Sequence, residues 1–298
     1  MTSKSPKVLL VGDNPFHGIS HLSQERARDR TAGDSAAEKA NIVNTAIENG
    51  ADGFSFSVSD TTLSILKKMR EQDTISQVNL YPIVPYAFEY VRIATQVGTP
   101  GLVRKLAKQM VFSGNAGVVL GGLGSVITMN PEGLMKTYLS YEISRIQSAT
   151  AKKAKLISIV LHEVITDMAL ALNFDWLFKS YVSYLSAKGI TPGFNTRNFP
   201  YLVKKFVEWQ IELDPIVIET QFNKAGFQMN PSRDECEKTL QSLRSPIVLA
   251  ISVLAAGYFK PSEALDYIVS LENLKGAVVG VSSEQQAREL FSLFKARF

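Results

Sequence analysis

Two apolar patterns alternate along the chain. Short runs rich in β-branched residues read as strands; longer stretches with apolar positions every three or four residues read as helices. "KVLLVGD" (7–13) is the first strand. "SAAEKANIVNTAIENG" (35–50) follows as a helix: Ser35 caps it, Glu38 completes a capping box, and Gly50 ends it. "GFSFSV" (53–58) and "DTTLSILKKMREQ" (60–72) make the next strand and helix, and "NLYPIVP" (79–85) the third strand. Helical material comes next, including "GLVRKLAKQMVF" and "PEGLMKTYLSYEISRIQSA". The second half repeats the rhythm. Strand "KLISIVLHE" (155–163) precedes a long helical region to Gly189, and "TPGFNTR" (191–197) precedes "FPYLVKKFVEWQ". "PIVIETQFN" (215–223) precedes "SRDECEKTLQSL", and "IVLAISVLAAG" (247–257) precedes "PSEALDYIVSL". "GAVVGVSS" (276–283) leads into the last helix, "EQQARELFSLFKARF".

Strands alternating with helices imply βαβ units and a parallel sheet. Eight such units close into an α/β fold of the (β/α)8 TIM-barrel type, the architecture expected here. A ninth apolar run, "AGVVLGGLGS" (116–125), is assigned to a helical insertion spanning about residues 88–150. An open doubly wound sheet is the other architecture the rhythm allows. Against it, no G-x-G-x-x-G follows the first strand, and no helix starts right after "GGLGS". No linker rich in Pro, Gly and Ser divides the chain, so residues 1–298 are expected to form one domain.

Charge adds little to the picture. There are 32 basic and 28 acidic residues, scattered rather than clustered, which reads as a solvated surface. Nucleic acid is not expected as a partner, because it needs a basic stripe. The single cysteine, Cys236, forms no internal disulfide and fits a reducing cytoplasm. "MTSKSPKVLLVG" lacks the apolar core of a signal peptide, and no run reaches the length of a membrane span.

In a parallel barrel the chemistry sits at the C-terminal ends of the strands. The fourth strand ends in His162 and Glu163, and alternation should turn one of them inward. The first ends in Asp13 and Asn14, with His17 and His21 just beyond, so all three histidines fall at strand ends or in the loop after one. The second offers Ser55, Ser57, Ser59 and Asp60; Asp60 is either a functional carboxylate or a helix cap. Period two puts Glu219, Gln221 and Asn223 on one face, and Asn195 with Arg197 on another. A carboxylate as enclosed as Glu219 needs a cation, a metal or a place at the open mouth. Arg197 suits an anionic group or pairs with a strand-end acid. These features point to a small, oxygen-rich, anionic substrate. No lysine lies in the interior of an assigned strand, so Schiff-base chemistry is not expected. There is no G-x-S-x-G and no paired-cysteine metal motif, and Thr166 stands where H-E-x-x-H needs its second histidine.

The second half resembles the aldo-keto reductase superfamily. "GFNTRN" is similar to its "GxSxxN" strand, and "VIETQFN" to its strand carrying a glutamine and a Tyr-Asn-like end. "AISVLAAGYFKPSEAL" resembles its "YSPLAAGxL" segment, and "VVGVSSEQQARE" its closing "xxGxSxxEQxxE" segment. The resemblance implies an eight-stranded barrel that binds NADP at its mouth. Ser252, Leu254 and Gly257, with Gly280, Ser282 and Ser283, would hold the phosphates. Asn198 and Glu219 would lie near the nicotinamide, Glu219 in place of the usual glutamine, and His162 would orient the carbonyl. Asp60 and Thr61 match the family's Asp-Thr pair, but neither its tyrosine acid nor its third-strand lysine is present, leaving Tyr81 or Tyr86 as replacement donor. The candidate catalytic residues are therefore His162, Asp60, Glu219 and His17, acting on a small polar carbonyl or phosphorylated metabolite. Two alternatives stand beside this. One is a lyase, isomerase or hydrolase using a divalent metal held by His17, His162, Glu163, Glu219 and Asp13. The other is a barrel without chemistry that binds a ligand.

Overall fold

A computed structural model of the chain describes residues 7–18, 35–85 and 131–298. His21, Tyr86, "GLVRKLAKQMVF" and "AGVVLGGLGS" lie outside the described residues. Eight parallel strands close on themselves: β1 (Val8–Gly12), β2 (Gly53–Ser57), β3 (Asn79–Val84), β4 (Lys155–Leu156 and Ser158–Leu161), β5 (Thr191–Thr196), β6 (Val217–Gln221), β7 (Ile247–Ile251) and β8 (Gly276–Gly280). β1 pairs with β8 on one side and β2 on the other, which shuts the barrel. Among the described residues nine helices surround it: α1 (Ala36–Glu48), α2 (Asp60–Glu71), α3 (Pro131–Thr150), α4 (Glu163–Ala171), α5 (Asp175–Ser186), α6 (Phe199–Glu208), α7 (Arg233–Ser242), α8 (Pro261–Ser270) and α9 (Glu284–Arg297).

Local rules set the helix starts. Ser35 and Glu38 form the expected capping box on α1. Ser59, not Asp60, caps α2, with Thr62 closing its box, so Asp60 is the first helical residue. The long helical region after β4 is two helices, parted where Asn173 takes a left-handed φ of 54°. The described part of the expected insertion, α3, packs on α2 and α5 as a member of the helical ring between β3 and β4.

Alternation divides each strand between two cores. Outward residues such as Leu9, Val11, Phe54, Phe56 and Ile218 pack against the helices. Phe194 on β5 shows how: it meets Phe178 and Tyr181 of α5 and Phe206 of α6 at ring-centroid distances of 5.5, 5.3 and 5.1 Å. Leu10, Tyr81, Val217 and Leu249 form a small separate cluster, with Val8, Ile157, Ile247 and Val278 against it. This inner cluster plugs the barrel, and the buried polar side chains of Ser55, Ser57, Asn195, Glu219 and Gln221 lie nearer the C-terminal rim.

β4 carries one extra residue. Leu80 faces Leu156, but Ile83 faces Val160, so the register slips by one at Ile157. Such a bulge re-aims the side chains beyond it. Ile157 joins the inner cluster, whereas Ile159 and Leu161 pack outward. The inward set therefore becomes Ser158, Val160 and, at the rim, His162.

Candidate active site

All eight strands end on one rim, and most sequence-chosen residues gather there. β1 runs into Asp13, which is buried. Its Oδ2 accepts the Ser57 N–H at 2.7 Å and lies 3.0 Å from His17 Nε2. A 3-10 turn, Asn14–His17, folds His17 back; Pro15 is its second residue, and Gly18 with φ 67° closes it. Buried Lys39 on α1 donates to the Phe16 carbonyl at 3.1 Å and holds this turn from outside.

The fourth strand stops at Leu161, one residue short of His162 and two short of Glu163. His162 caps α4: its Nδ1 accepts the Val164 N–H at 3.2 Å. In the neutral ring the proton then sits on Nε2. Burial pushes the imidazole pKa below its ordinary value, with Arg197 lowering it further and Glu163 and Asp13 opposing. Glu163 is the first residue of α4 and accepts two bonds from Arg197, at 3.1 Å from Nε and 2.6 Å from Nη2. Arg197 thus takes a strand-end acid as partner. Asp167, one turn along α4, accepts from the Thr196 hydroxyl at 2.5 Å and the Arg197 N–H at 3.1 Å. Burial raises its pKa above the ordinary aspartate value. Sequence reading missed Asp167; its place four residues after Glu163, on the same helical face, was the available signal.

Glu219 sits inside the barrel on β6, almost fully buried, beside Asn195 in the β5–β6 register. Among the described residues it has no cation partner, and it has no open position: the Ser55 hydroxyl on β2 donates to its Oε1 at 3.0 Å across the barrel. Desolvation pushes the carboxyl up to about 7, the nearby Asp13 charge adds to the rise, and the Ser55 bond opposes it. Tyr81 on β3 is pushed up to about 12, chiefly by burial and then by the charges of Asp52 and Glu219, so its phenol stays neutral. Gln221 is buried on the same face of β6. Asn223 leaves the strand; its amide closes a turn on Phe227, donating at 2.9 Å and accepting at 2.8 Å.

Asp60 stands apart from these groups. Its side chain is 87% exposed and accepts from Arg145 of α3 at 2.9 Å. The five proposed metal ligands also divide: Asp13 faces His17, Glu163 faces Arg197 and Glu219 faces Ser55. Among the described residues no three or more His, Cys, Asp or Glu side chains are grouped to hold a metal ion. No described helix is long and apolar enough to cross a membrane.

The segments expected to hold phosphates follow β7 and β8. After β7, Ser252, Ala255, Ala256 and Gly257 all have left-handed φ, at 53°, 44°, 63° and 85°. Some of their N–H groups are used locally, Ala255 N–H by Ser252 and Gly257 N–H by Leu254. After β8, Gly280, Ser282 and Ser283 are exposed at the start of α9. Ser283 caps α9, accepting from Gln286 N–H, and Gln286 Oε1 takes the Ser282 N–H. Asn198 caps α6 through its backbone, its N–H donating to Thr196 Oγ1 at 2.9 Å.

The fold and this rim define a closed parallel (β/α)8 barrel with a polar C-terminal mouth. No protein-family model and no curated protein sequence matches the chain. Solved structures match by shape. Two are candidate aldo-keto reductases from Pseudomonas aeruginosa, one of them PA4992, each with a TM-score of 0.56 and 10% identity. They cover 97% and 99% of this chain, and 90% and 95% of their own. A third is MGS-M4, an aldo-keto reductase from a Medee basin deep-sea metagenome library, with a TM-score of 0.51 and 9% identity over 88% of this chain and 82% of that one. The chain is thus an aldo-keto-reductase-like barrel in fold.

Proposed function

We propose that this barrel is an enzyme that reduces a small polar carbonyl compound with NADPH, with Glu219 as the proton donor. The observation that carries this reading is a buried carboxyl, with no cation partner among the described residues, whose pKa is pushed up to about 7. A general acid works best when its pKa lies near the working pH. The Ser55 bond engages Oε1 and leaves Oε2 to carry the proton. Glu219 then takes over the proton donation that an aldo-keto reductase assigns to tyrosine and lysine, both missing here. His162, neutral and protonated on Nε2, supplies a hydrogen bond to orient the carbonyl oxygen. Asp13 fixes His17 and helps to keep Glu219 protonated. Asp60 serves α2 and α3 rather than the reacting atoms.

The cofactor-binding part rests on the strand-end loops. A right-handed residue followed by a left-handed one, as at Leu254 and Ala255, gathers N–H groups around an anion, and a helix start offers the same. Ser252, Leu254, Gly257, Gly280, Ser282 and Ser283 fit the phosphates, and Asn198 fits the nicotinamide end. NADPH, when bound, supplies the hydride. The test is NADPH titration followed by nicotinamide fluorescence, then turnover with a panel of small aldehydes and ketones from acid to alkaline pH. The rate should fall as pH rises through about 7. Glu219→Gln should keep NADPH affinity and lose about 100-fold or more in turnover. Failure to bind NADPH at saturating concentration would refute the proposal.

A further inference from the structure

Three neighbouring strands, β4, β5 and β6, carry buried polar atoms with no hydrogen-bond partner among the described residues: Ser158 Oγ, Asn195 Oδ1 and Gln221 Oε1. Ser158 lies deep, against Gly193. The two amides lie nearer the rim, on side chains at least nine-tenths buried; their residues are 8% and 2% exposed. Asn195 is the direct neighbour of Glu219 across β5 and β6, and Gln221 is the next inward position of β6 toward the mouth. Neighbouring strands are about 4.8 Å apart, and two residues along a strand span about 6.6 Å. The two amides therefore flank the Glu219 carboxyl on one wall. A buried polar group without a partner costs free energy, so a wall that keeps two beside a titrating acid is built for a group that is not part of the chain.

The charge of this wall says which group. Among the described inward positions at the rim, Arg197 is the cation, and both its bonds go to Glu163. Asp13 and Glu219 are the carboxyls facing the interior, and Asp13 is close enough to raise the Glu219 pKa. Among the described residues no unpaired cation faces this wall, and an anionic ligand would be repelled by Asp13. A hydroxyl both donates and accepts, and so does a carboxamide. We propose that Asn195 and Gln221 read the hydroxyl groups of an uncharged, polyhydroxylated substrate, and that the mouth rejects its acidic and phosphorylated analogues. This rests on the reading that Glu219 acts on the carbonyl beside them, and it replaces the anionic substrate expected from Arg197.

The experiment is calorimetric titration of the full chain with neutral sugars and polyols, and with the matching sugar acids and sugar phosphates. Wild type is compared with Asn195→Leu and Gln221→Leu. Neutral compounds should bind, and their anionic counterparts should bind at least about tenfold more weakly. Each leucine variant should bind neutral compounds about tenfold more weakly. Without ligand its melting temperature should hold or rise, because an unpartnered polar group has left the interior. Anions that bind as tightly as neutral compounds overturn the inference, and that comparison needs no variant. So do leucine variants that bind like wild type, which would assign the amides to structural water. Variants that lose NADPH but keep polyols would hand the amides to the cofactor and likewise overturn it. A chain that binds polyols through both amides but reduces no carbonyl keeps this inference and removes the reductase reading. One that reduces carbonyls yet prefers anions does the reverse.

Discussion

Replacing Glu219 with glutamine removes one titrating group from the barrel interior and keeps an acceptor for the Ser55 hydroxyl. The magnitude follows from the displaced pKa. The rise from 4.5 to about 7, at about 1.36 kcal/mol per tenfold in proton affinity, amounts to about 3 kcal/mol. Below pH 4.5 the native and unfolded chains both hold the proton. Between there and about 7 the native chain keeps a proton that the unfolded chain releases, so stability falls as pH rises. Above about 7 the group is ionised in both states, and the full cost of a buried charge remains. Glutamine stays neutral throughout. The Glu219→Gln variant should therefore gain on wild type as pH rises, by up to about 3 kcal/mol between strongly acid and mildly alkaline solution. Urea unfolding of both proteins across that range measures the difference directly, and equal denaturant slopes would confirm that the same surface is exposed. Parallel stability profiles, or a variant that loses ground above neutrality, would show that Glu219 is not held protonated by burial.

Arg197→Ala removes a positive charge that lowers the His162 pKa and leaves Glu163 unneutralised, so the ring should titrate at higher pH; an unchanged ring titration by NMR would contradict the pairing. Gly193→Ala places a Cβ 2.7 Å from Ser158 Oγ and 2.8 Å from Val160 Cγ2. It should cost about 1–3 kcal/mol, partly recovered in a Ser158→Ala background; an equal cost in both backgrounds by denaturant unfolding would rule out the Ser158 contact. Ser59→Ala breaks the α2 capping box and should lower stability by about 1 kcal/mol with the fold intact; no change in the unfolding midpoint would refute that cap.

The barrel was legible because its signals are local. Period-two runs, helical faces and the Ser35–Glu38 cap each depend on residues a few positions apart, and their order in the chain already implies a closed parallel sheet. The gathering of His17, His162 and Glu219 at one rim followed from that topology. Local signals failed where two reasonable readings compete within one turn. Ser59 rather than Asp60 caps α2, because its extended backbone lets its hydroxyl reach the Thr62 N–H.

The sequence by itself thus determined the alternating elements, their closure into a cylinder and the rim on which polar groups collect. Only the tertiary structure decided what those groups do. The inward aim of His162 depends on one extra residue at Ile157, set by how β3 and β4 pair rather than by any count along β4. Glu163 is neutralised by a guanidinium 34 residues away, and Glu219 is held by a hydroxyl 164 residues away. Ionisation in a desolvated interior depends on such distant partners, and chain position alone does not reveal them.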